Sequence, residues 1–220
     1  MSIESGVPKK EGTWNNYNLS KLATLNALQN NSNEFWNLYH SIRESLKNIK
    51  PNLGHYSLVD MEKMFKKFYL ITLNEYNLHR VAGSQRLAEL NGNVTRTRCN
   101  KCDFNRYEDI QNYNLSGIIT CPKCGGMLRP DVVLNDETLP QRTIDAVSQA
   151  AATSEVFISI GSAEDAPKDI QNLPFIAKGN GAYLLEISKE ETELSSHVNE
   201  FVKGESGKIL PHLVTALTDS

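Results

Sequence analysis

The sequence predicts an α/β protein, a Rossmann-type and mostly parallel sheet interrupted by a small zinc-binding lobe. Three observations carry this expectation. Short runs such as "EVFISIGS" and "AYLLEIS" have the length and β-branched content of strands buried on both faces. Segments with apolar residues at helical spacing alternate with those runs, as in strands joined by crossover helices. All four cysteines fall into two C-x-x-C pairs, Cys99/Cys102 and Cys121/Cys124, separated by residues 103–120.

In chain order, Leu19, Leu22, Leu25 and Leu28 recur at helical spacing and predict a first helix. A second starts at Asn31 or Ser32, carries Phe35, Leu38, Tyr39, Ile42, Leu46 and Ile49 on one stripe, and stops before Pro51. A third, near 57–67, leads into "FYLIT", which suits a buried strand. The stretch "LAELNGNVTR" has two readings. Asn91-Gly92 between alternating residues is a hairpin signal, because both residues tolerate positive φ; otherwise the same residues belong to a functional site. The cysteine segment occupies roughly 96–127. Beyond it come "VVL", a helix over 140–152, the strands of "EVFISIGS" and "AYLLEIS", and a last helix over 207–217. In a parallel sheet, ligands sit at the carboxyl ends of strands. That places Thr72-Leu73-Asn74, Gly161-Ser162 and Ser188 along one candidate crevice.

The 220 residues are 40% hydrophobic and 22% charged, ordinary for a soluble globular chain. A net charge of −3 without long Lys or Arg runs makes nucleic acid and anionic membranes poor partners. No run approaches the ~18 apolar residues of a membrane span. The opening residues lack both a signal peptide's apolar core and an Arg-rich presequence, so an intracellular location is expected, with cytoplasm, nucleus and mitochondrion unresolved. Composition is silent on oligomeric state.

C-x₂-C-x₁₅₋₂₀-C-x₂-C is the spacing of a structural zinc site. Two residues between cysteines let both thiolates of a knuckle point into one tetrahedral corner, and two knuckles complete the shell. Redox pairs or disulfides are the alternative, disfavoured because no cysteine is left over and nothing indicates export. With sulfur at all four positions there is no place for an activated water, so one structural zinc is expected.

"CNKC…CPKCGGMLRPDVV" followed by "NDETLP" resembles the sirtuins, NAD-dependent protein-lysine deacylases, whose zinc lobe runs into a Gly-Gly-x-Leu-Arg-Pro-x-Val-Val segment. "ESGVP", "TLNEYNLHRVAGS", "ISIGSAEDAP", "AKGNGAYLLEIS" and "GESGKILPHLV" follow in family order, so the resemblance covers nearly the whole chain. "FWNLYHSIRE" and "PNLGH" look most like the class III branch, which removes succinyl and malonyl groups. The resemblance implies a Rossmann-type domain over 1–95 and 128–220, a four-cysteine zinc lobe over 96–127, and NAD and an acylated lysine of a protein or peptide in the cleft between. It places Ser2, Gly6, Gly12, Asn74, Gly161, Ser162, Ser188 and Ser206 at cofactor-facing positions, and Tyr39, Val133 and Glu137 at substrate-facing ones.

The family's catalytic segment reads Glu-(Leu or Ile)-His-Gly; here it is Glu89-Leu90-Asn91-Gly92, with Asn91 in place of the general base. A carboxamide cannot accept a proton at neutral pH as imidazole does, and losing a general base typically costs ~10²–10⁴ in rate. Other positions depart as well. The family's first strand and glycine phosphate loop have no counterpart ahead of Met1-Ser2, a loss expected to weaken the sheet. Lys9-Lys10-Glu11-Gly12 puts an acid where the resemblance expects a nucleotide-facing Arg. The family's Gln and Asp after the second strand become Leu73 and Tyr76. In the class III Tyr-x-x-Arg motif, Tyr39 is kept while Ile42 replaces the Arg; Arg43 lies about 100° round the helix and should point elsewhere. Asn135-Asp136 replace the aromatic-Gly of the substrate clamp. Positions that fold the chain are kept while those that touch cofactor or substrate are changed. The expectation is a sirtuin-like pseudoenzyme whose hold on NAD is in question. The alternative is an active deacylase with a rearranged site, using His79 or His55 as base. Trp14 with Tyr17 reads as core or rim, and Lys66-Lys67 and the acidic run at 190–193 as solvated faces.

Overall fold

The structure, a computed structural model, describes residues 1, 3–7, 12–104, 119–161 and 166–219, with the backbone alone at 3, 107 and 108. A 3₁₀ turn at Ile3–Ser5 precedes a small hairpin of β1 (Thr13–Trp14) and β2 (Tyr17–Asn18). Then come α1 (Leu19–Leu22), α2 (Leu25–Asn30), α3 (Ser32–Leu46) and α4 (Leu53–Met64). The middle of the chain holds β3 (Leu70–Thr72), α5 (Leu78–Ala82), β4 (Leu87–Glu89), β5 (Gly92–Cys99), β6 (Tyr107–Glu108) and β7 (Leu128–Val132). The last third contains α6 (Gln141–Ala152), β8 (Val156–Ile160), α7 (Lys168–Gln171), α8 (Leu173–Gly179), β9 (Tyr183–Ser188), β10 (Glu200–Lys203) and α9 (Ser206–Thr218).

The α/β expectation holds, with parallel strands under helices on both faces. They form two groups: β3 with β4, and β8–β9–β10 in that spatial order. One face packs Ile71, Ala88 and Phe157 beneath α6, α7 and α8, around Val147, Ala151, Leu173 and Ala177. The other packs Leu70, Ile158, Leu185 and Ile187 beneath α4 and α9, around Leu58, Met61 and Leu210. A third sheet, β6–β5–β7, is antiparallel and carries the cysteines. Trp36, Phe35, Leu38 and Tyr39 of α3 fill a separate core with Trp14, Val94 and Val132.

Several local expectations change. The helix expected over 19–28 is two helices, because Thr24 leaves the helical region and its side chain accepts from Ala27 N–H at 3.0 Å to cap α2. Helix α4 starts four residues before the expected 57. The Asn52 side chain accepts from His55 N–H at 3.3 Å, and His55 Nδ1 accepts from Asn52 N–H at 3.2 Å, a reciprocal capping box. Nor is Asn91-Gly92 a hairpin turn. β4 runs parallel beside β3, whereas β5 leaves to pair antiparallel with β7. Gly92 sits at φ 78° where a Cβ would collide with the Asp131 carbonyl, so the glycine serves a close strand crossing.

Candidate functional site

Parallel strands end at one side of the sheet, and their carboxyl ends gather several of the expected cofactor-facing residues. Asn74 follows β3, Gly161 follows β8, Ser188 closes β9 and Ser206 opens α9 after β10. Gly161 has φ 78°, its N–H is bonded to Ile187 O at 2.8 Å, and open space lies where a Cβ would be. Asn74 turns its Oδ1 back to accept from Tyr76 N–H at 3.0 Å. Gly6 has φ 87° and Gly12 φ 74°, conformations that suit glycine in the turns around the 3₁₀ segment and before β1. Ser2 and Ser162 lie outside the described residues, as does the Lys9-Lys10-Glu11 substitution.

Ser206 is buried, and the N-terminus of α9 is already filled. Glu4 accepts from Ser206 N–H at 3.2 Å and from Gly207 N–H at 2.8 Å, and its carboxylate also takes the Ser206 hydroxyl. An anion that would bind these donors meets one supplied by the chain. No signal in the sequence joined Glu4 to α9, since the two lie at opposite ends of the chain.

Asn91 sits between β4 and β5. Its Nδ2 donates to Leu73 O at 2.9 Å, and its backbone carbonyl accepts from Val133 N–H at 3.0 Å. The other exchanged residues are similarly committed within the chain. Leu73 packs with the α6–α8 core. Tyr76 lies 6.4 Å from the buried Trp14, centroid to centroid. The Asp136 carboxylate accepts from Leu25 N–H at 2.9 and 3.0 Å, capping α2, and Asn135 Nδ2 donates to Leu19 O at 2.9 Å. The expected clamp is tied down onto α1 and α2.

The substrate-facing candidates lie apart in role. Tyr39 is 3% exposed and packs 4.9 Å from the Phe35 ring; burial, then the Glu75 charge, pushes its hydroxyl far above the usual tyrosine range. Ile42 is core beside it. Arg43 does point elsewhere: its guanidinium donates to Val94 O at 2.8 Å and to Arg96 O and Thr97 Oγ1 at 3.1 Å each. Val133 touches the site through its backbone. Glu137 forms a bidentate pair with the fully buried Arg129, 2.6 Å at each oxygen, and accepts from Leu134 N–H at 2.9 Å. Burial works to raise the Glu137 carboxyl, but these donors outweigh it and hold it below its ordinary value.

The four cysteines converge. Their sulfurs all lie within 4.8 Å of one another, with 3.6 Å between Cys99 and Cys124 and 3.8 Å between Cys102 and Cys121. No disulfide joins any two of them. With Zn–S bonds of ~2.3 Å, the edge of a tetrahedron of sulfurs is roughly 3.8 Å, and the cluster could hold zinc. Burial raises the Cys99 thiol, but N–H groups of Lys101 and Cys102, at 3.3 and 3.4 Å from its sulfur, bring it below the ordinary thiol range.

The Sir2 family model matches residues 1–166. The chain belongs to the Sir2 family. Two relatives, both NAD-dependent protein deacylases, come from Pyrococcus abyssi, at 34% identity over 97% of this chain and 88% of the relative, and from Aquifex aeolicus, at 39% over 89% and 82%. Among solved structures, a Sir2 homologue in complex with NAD superposes with a TM-score of 0.86 at 31% identity, covering 99% of this chain and 86% of that one. A histidine-to-asparagine variant of a Sir2 homologue, in complex with ADP-ribose, superposes with a TM-score of 0.87 at 31% identity, covering 99% and 88%.

In this Sir2 chain the two alternative bases are poorly placed for the task. The rings of His55 and His79 pack against each other, tilted by 51° with centroids 4.8 Å apart, at 0% and 7% exposure. Burial lowers His55 to about 3 and His79 to about 4, helped at His55 by its partner and at both by the Met1 ammonium. Such imidazoles are weak proton acceptors, and sequence alone carried no signal that they would pair. No helix among the described residues is long and apolar enough to cross a membrane.

Proposed function

We propose that this chain is a sirtuin scaffold whose NAD-dependent lysine deacylase chemistry is lost or severely weakened, kept as a binding or partner-sequestering protein. One observation carries the reading: Asn91 stands at the position of the family's general base with its carboxamide already spent on Leu73 O. A group with no accessible pKa cannot take the ribose hydroxyl proton that the sirtuin reaction requires. Leu73, Tyr76, Asn135 and Asp136 support it, because each exchanged side chain has an intramolecular role, and groups that act as a unit lose activity together.

We assign residues 1–95 and 128–220 to the nucleotide-type domain and 96–127 to the zinc lobe, with one structural zinc on Cys99, Cys102, Cys121 and Cys124. NAD, when bound, supplies the electrophilic ribose carbon to which an acyl oxygen would add. Gly161, Ser188 and Asn74 are the residues that would line its place, while the filled N-terminus of α9 offers it nothing. The ADP-ribose complex of a Sir2 homologue in which one histidine is replaced by asparagine supports nucleotide binding by a family member that carries such an exchange. An acylated-lysine peptide remains the ligand class of the scaffold. A class III preference rests on Tyr39 without a partner arginine, and Ile42 gives an acyl carboxylate no cation.

An active deacylase is the second reading, favoured by the named activity of the relatives. Titrating NAD into the purified protein and assaying nicotinamide release with acetyl-, succinyl- and malonyl-lysine peptides separates the two. We expect no peptide-dependent turnover; release coupled mole for mole to deacylation selects the active enzyme.

A further inference from the structure

The chain holds two Asn-Gly pairs, Asn91-Gly92 and Asn180-Gly181, whose backbones are bonded differently. A glycine after asparagine leaves its own nitrogen unshielded, because it has no Cβ. Attack by that nitrogen on the asparagine Cγ closes a five-membered ring. Closure proceeds when the nitrogen is free of other partners and the carboxamide can turn.

The two pairs share most of what closure depends on. Each glycine has positive φ, 78° at Gly92 and 94° at Gly181. Each asparagine donates its Nδ2 to a carbonyl, Asn91 to Leu73 O at 2.9 Å and Asn180 to Ile176 O at 2.8 Å. They part at the glycine nitrogen. Gly181 N–H donates to Lys178 O at 3.0 Å, closing the turn after α8. Gly92 N–H has no acceptor among the described residues. The Asn91 backbone carbonyl accepts from Val133 N–H and so points at β7, and in a trans peptide the N–H points the opposite way. The pairing of Gly92 with Val132 and of Asn93 with Asp131 leaves that N–H out of the ladder as well. The bond at the carbonyl polarises the same peptide and makes its N–H more acidic. Asn91 and Gly92 are half-buried rather than sealed, so water has access.

We infer that Asn91-Gly92 is a self-modification site, at which water converts the carboxamide to a carboxylate through a cyclic imide. The Gly92 nitrogen gives up its proton and bonds to Asn91 Cγ. The Cγ–Nδ2 bond breaks, and Nδ2 leaves as ammonia, its third proton replacing the one given up by Gly92. Water then opens the ring at one of two bonds. Cleavage between Cγ and the nitrogen yields aspartate. Cleavage between the backbone carbonyl carbon of Asn91 and the nitrogen yields isoaspartate, with the chain running through Cγ. Water is the only co-reactant, and nothing is oxidised or reduced. Either product turns a donor into an acceptor opposite Leu73 O, and two acceptors repel where a hydrogen bond stood. The carboxyl ends of β3 and β4 lose a tie there and gain a negative charge. This conversion goes beyond the loss of catalysis proposed above and does not depend on it.

The test incubates the intact protein in mildly alkaline heavy-oxygen water, digests it in ordinary water, then separates and weighs the peptides that carry residues 91 and 180. Oxygen taken up during digestion is light and does not count. Residue 91 should gain one heavy oxygen and elute as both aspartate and isoaspartate, the mark of the ring. Asn180 has one more bond to break, so it should convert roughly two- to tenfold more slowly. In urea, with the chain unfolded, the two rates should converge. An Asn91→Gln variant, whose longer side chain does not close the five-membered ring, should take up no label at 91. The inference is overturned if residue 91 keeps its nitrogen in the folded protein while it converts in urea. It is equally overturned if Asn180 converts as fast as Asn91 in the folded protein, or if aspartate forms alone, as direct hydrolysis would give. The readout is covalent, so failure here leaves the catalytic reading standing, and peptide-dependent turnover would leave this inference standing.

Discussion

On the proposed reading, Asn91 marks what the site gave up and Glu137 what it kept. Restoring the base alone leaves Leu73, Tyr76, Asn135 and Asp136 in place, each bonded or packed within the chain. Asn91→His should therefore gain no peptide-dependent nicotinamide release, and it should lose the bond to Leu73 O. Recovery of turnover by this one change would place the whole lesion at residue 91. Glu137 makes the opposite case. It neutralises Arg129, which is 0% exposed, so Glu137→Ala strands a buried guanidinium. Breaking such a pair costs about 3 kcal/mol or more, and chemical denaturation should show that loss in the absence of any ligand. A substrate-only role would leave stability unchanged. The exchange at Asn91 was legible because it is a change of chemical type at a fixed motif position. The role of Glu137 was not, because its partner Arg129 had been read only as part of a motif. Ile42 and Arg43 fall between: helical spacing alone correctly turned Arg43 away, though not toward the carbonyls of β5.

At the scale of elements, capping explains where the sequence was legible and where it was not. The long apolar stripe gave α3, and Pro140 gave the start of α6, since apolar periodicity and proline act locally. The break between α1 and α2 escaped notice because leucine spacing continues through it while Thr24 caps anew. The start of α4 depends on a His in the reciprocal role usually taken by Glu or Gln. That His55, packed against His79 of α5, gives the two helices a shared pH dependence. Both imidazoles have folded values, about 3 and about 4, below the 6.5 of the free side chain. The fold thus selects the neutral forms, so their contribution to stability is complete above 6.5 and is lost as pH falls toward 4. The facing charges are the Met1 ammonium, which works with burial, and Glu89, which works weakly against it at His79. Carboxylates held low by their partners, such as Glu62 and Glu89, titrate below their ordinary 4.5 and fall outside the upper part of this window. Between pH 7 and pH 5 the melting temperature should drop, each histidine contributing on the order of 1–2 kcal/mol. NMR titration of the imidazole resonances should show neither ring charged at pH 5. A flat stability profile across that interval would remove the pair as the cause.

Across the whole molecule, the cysteine cluster and the residue at 91 are joined by two strands. β5 begins at Gly92, directly after Asn91, and ends at Cys99; β7 begins four residues after Cys124 and ends one residue before Val133, whose N–H is held by the Asn91 carbonyl. A metal held by the cluster would pin the far ends of this antiparallel pair, and Arg129 locks its middle to Asn100, Val132 O and Glu137. The parallel strands β8–β10 take no part in that connection; α6–α8 and α9 hold them. With one zinc bound per chain, a chelator strong enough to strip thiolates should speed amide exchange at 97–100 and 121–129 first. The effect should then run along β5 toward 91–94, while β9 stays protected. Uniform loss of protection, β9 included, would mean that the metal supports the whole fold as one cooperative unit. Unchanged exchange at the knuckles would mean that the four sulfurs converge without holding an ion. The graded outcome is the one expected of separate ladders, because among the described residues β5 and β9 lie in different sheets with no continuous ladder to carry unfolding from one to the other.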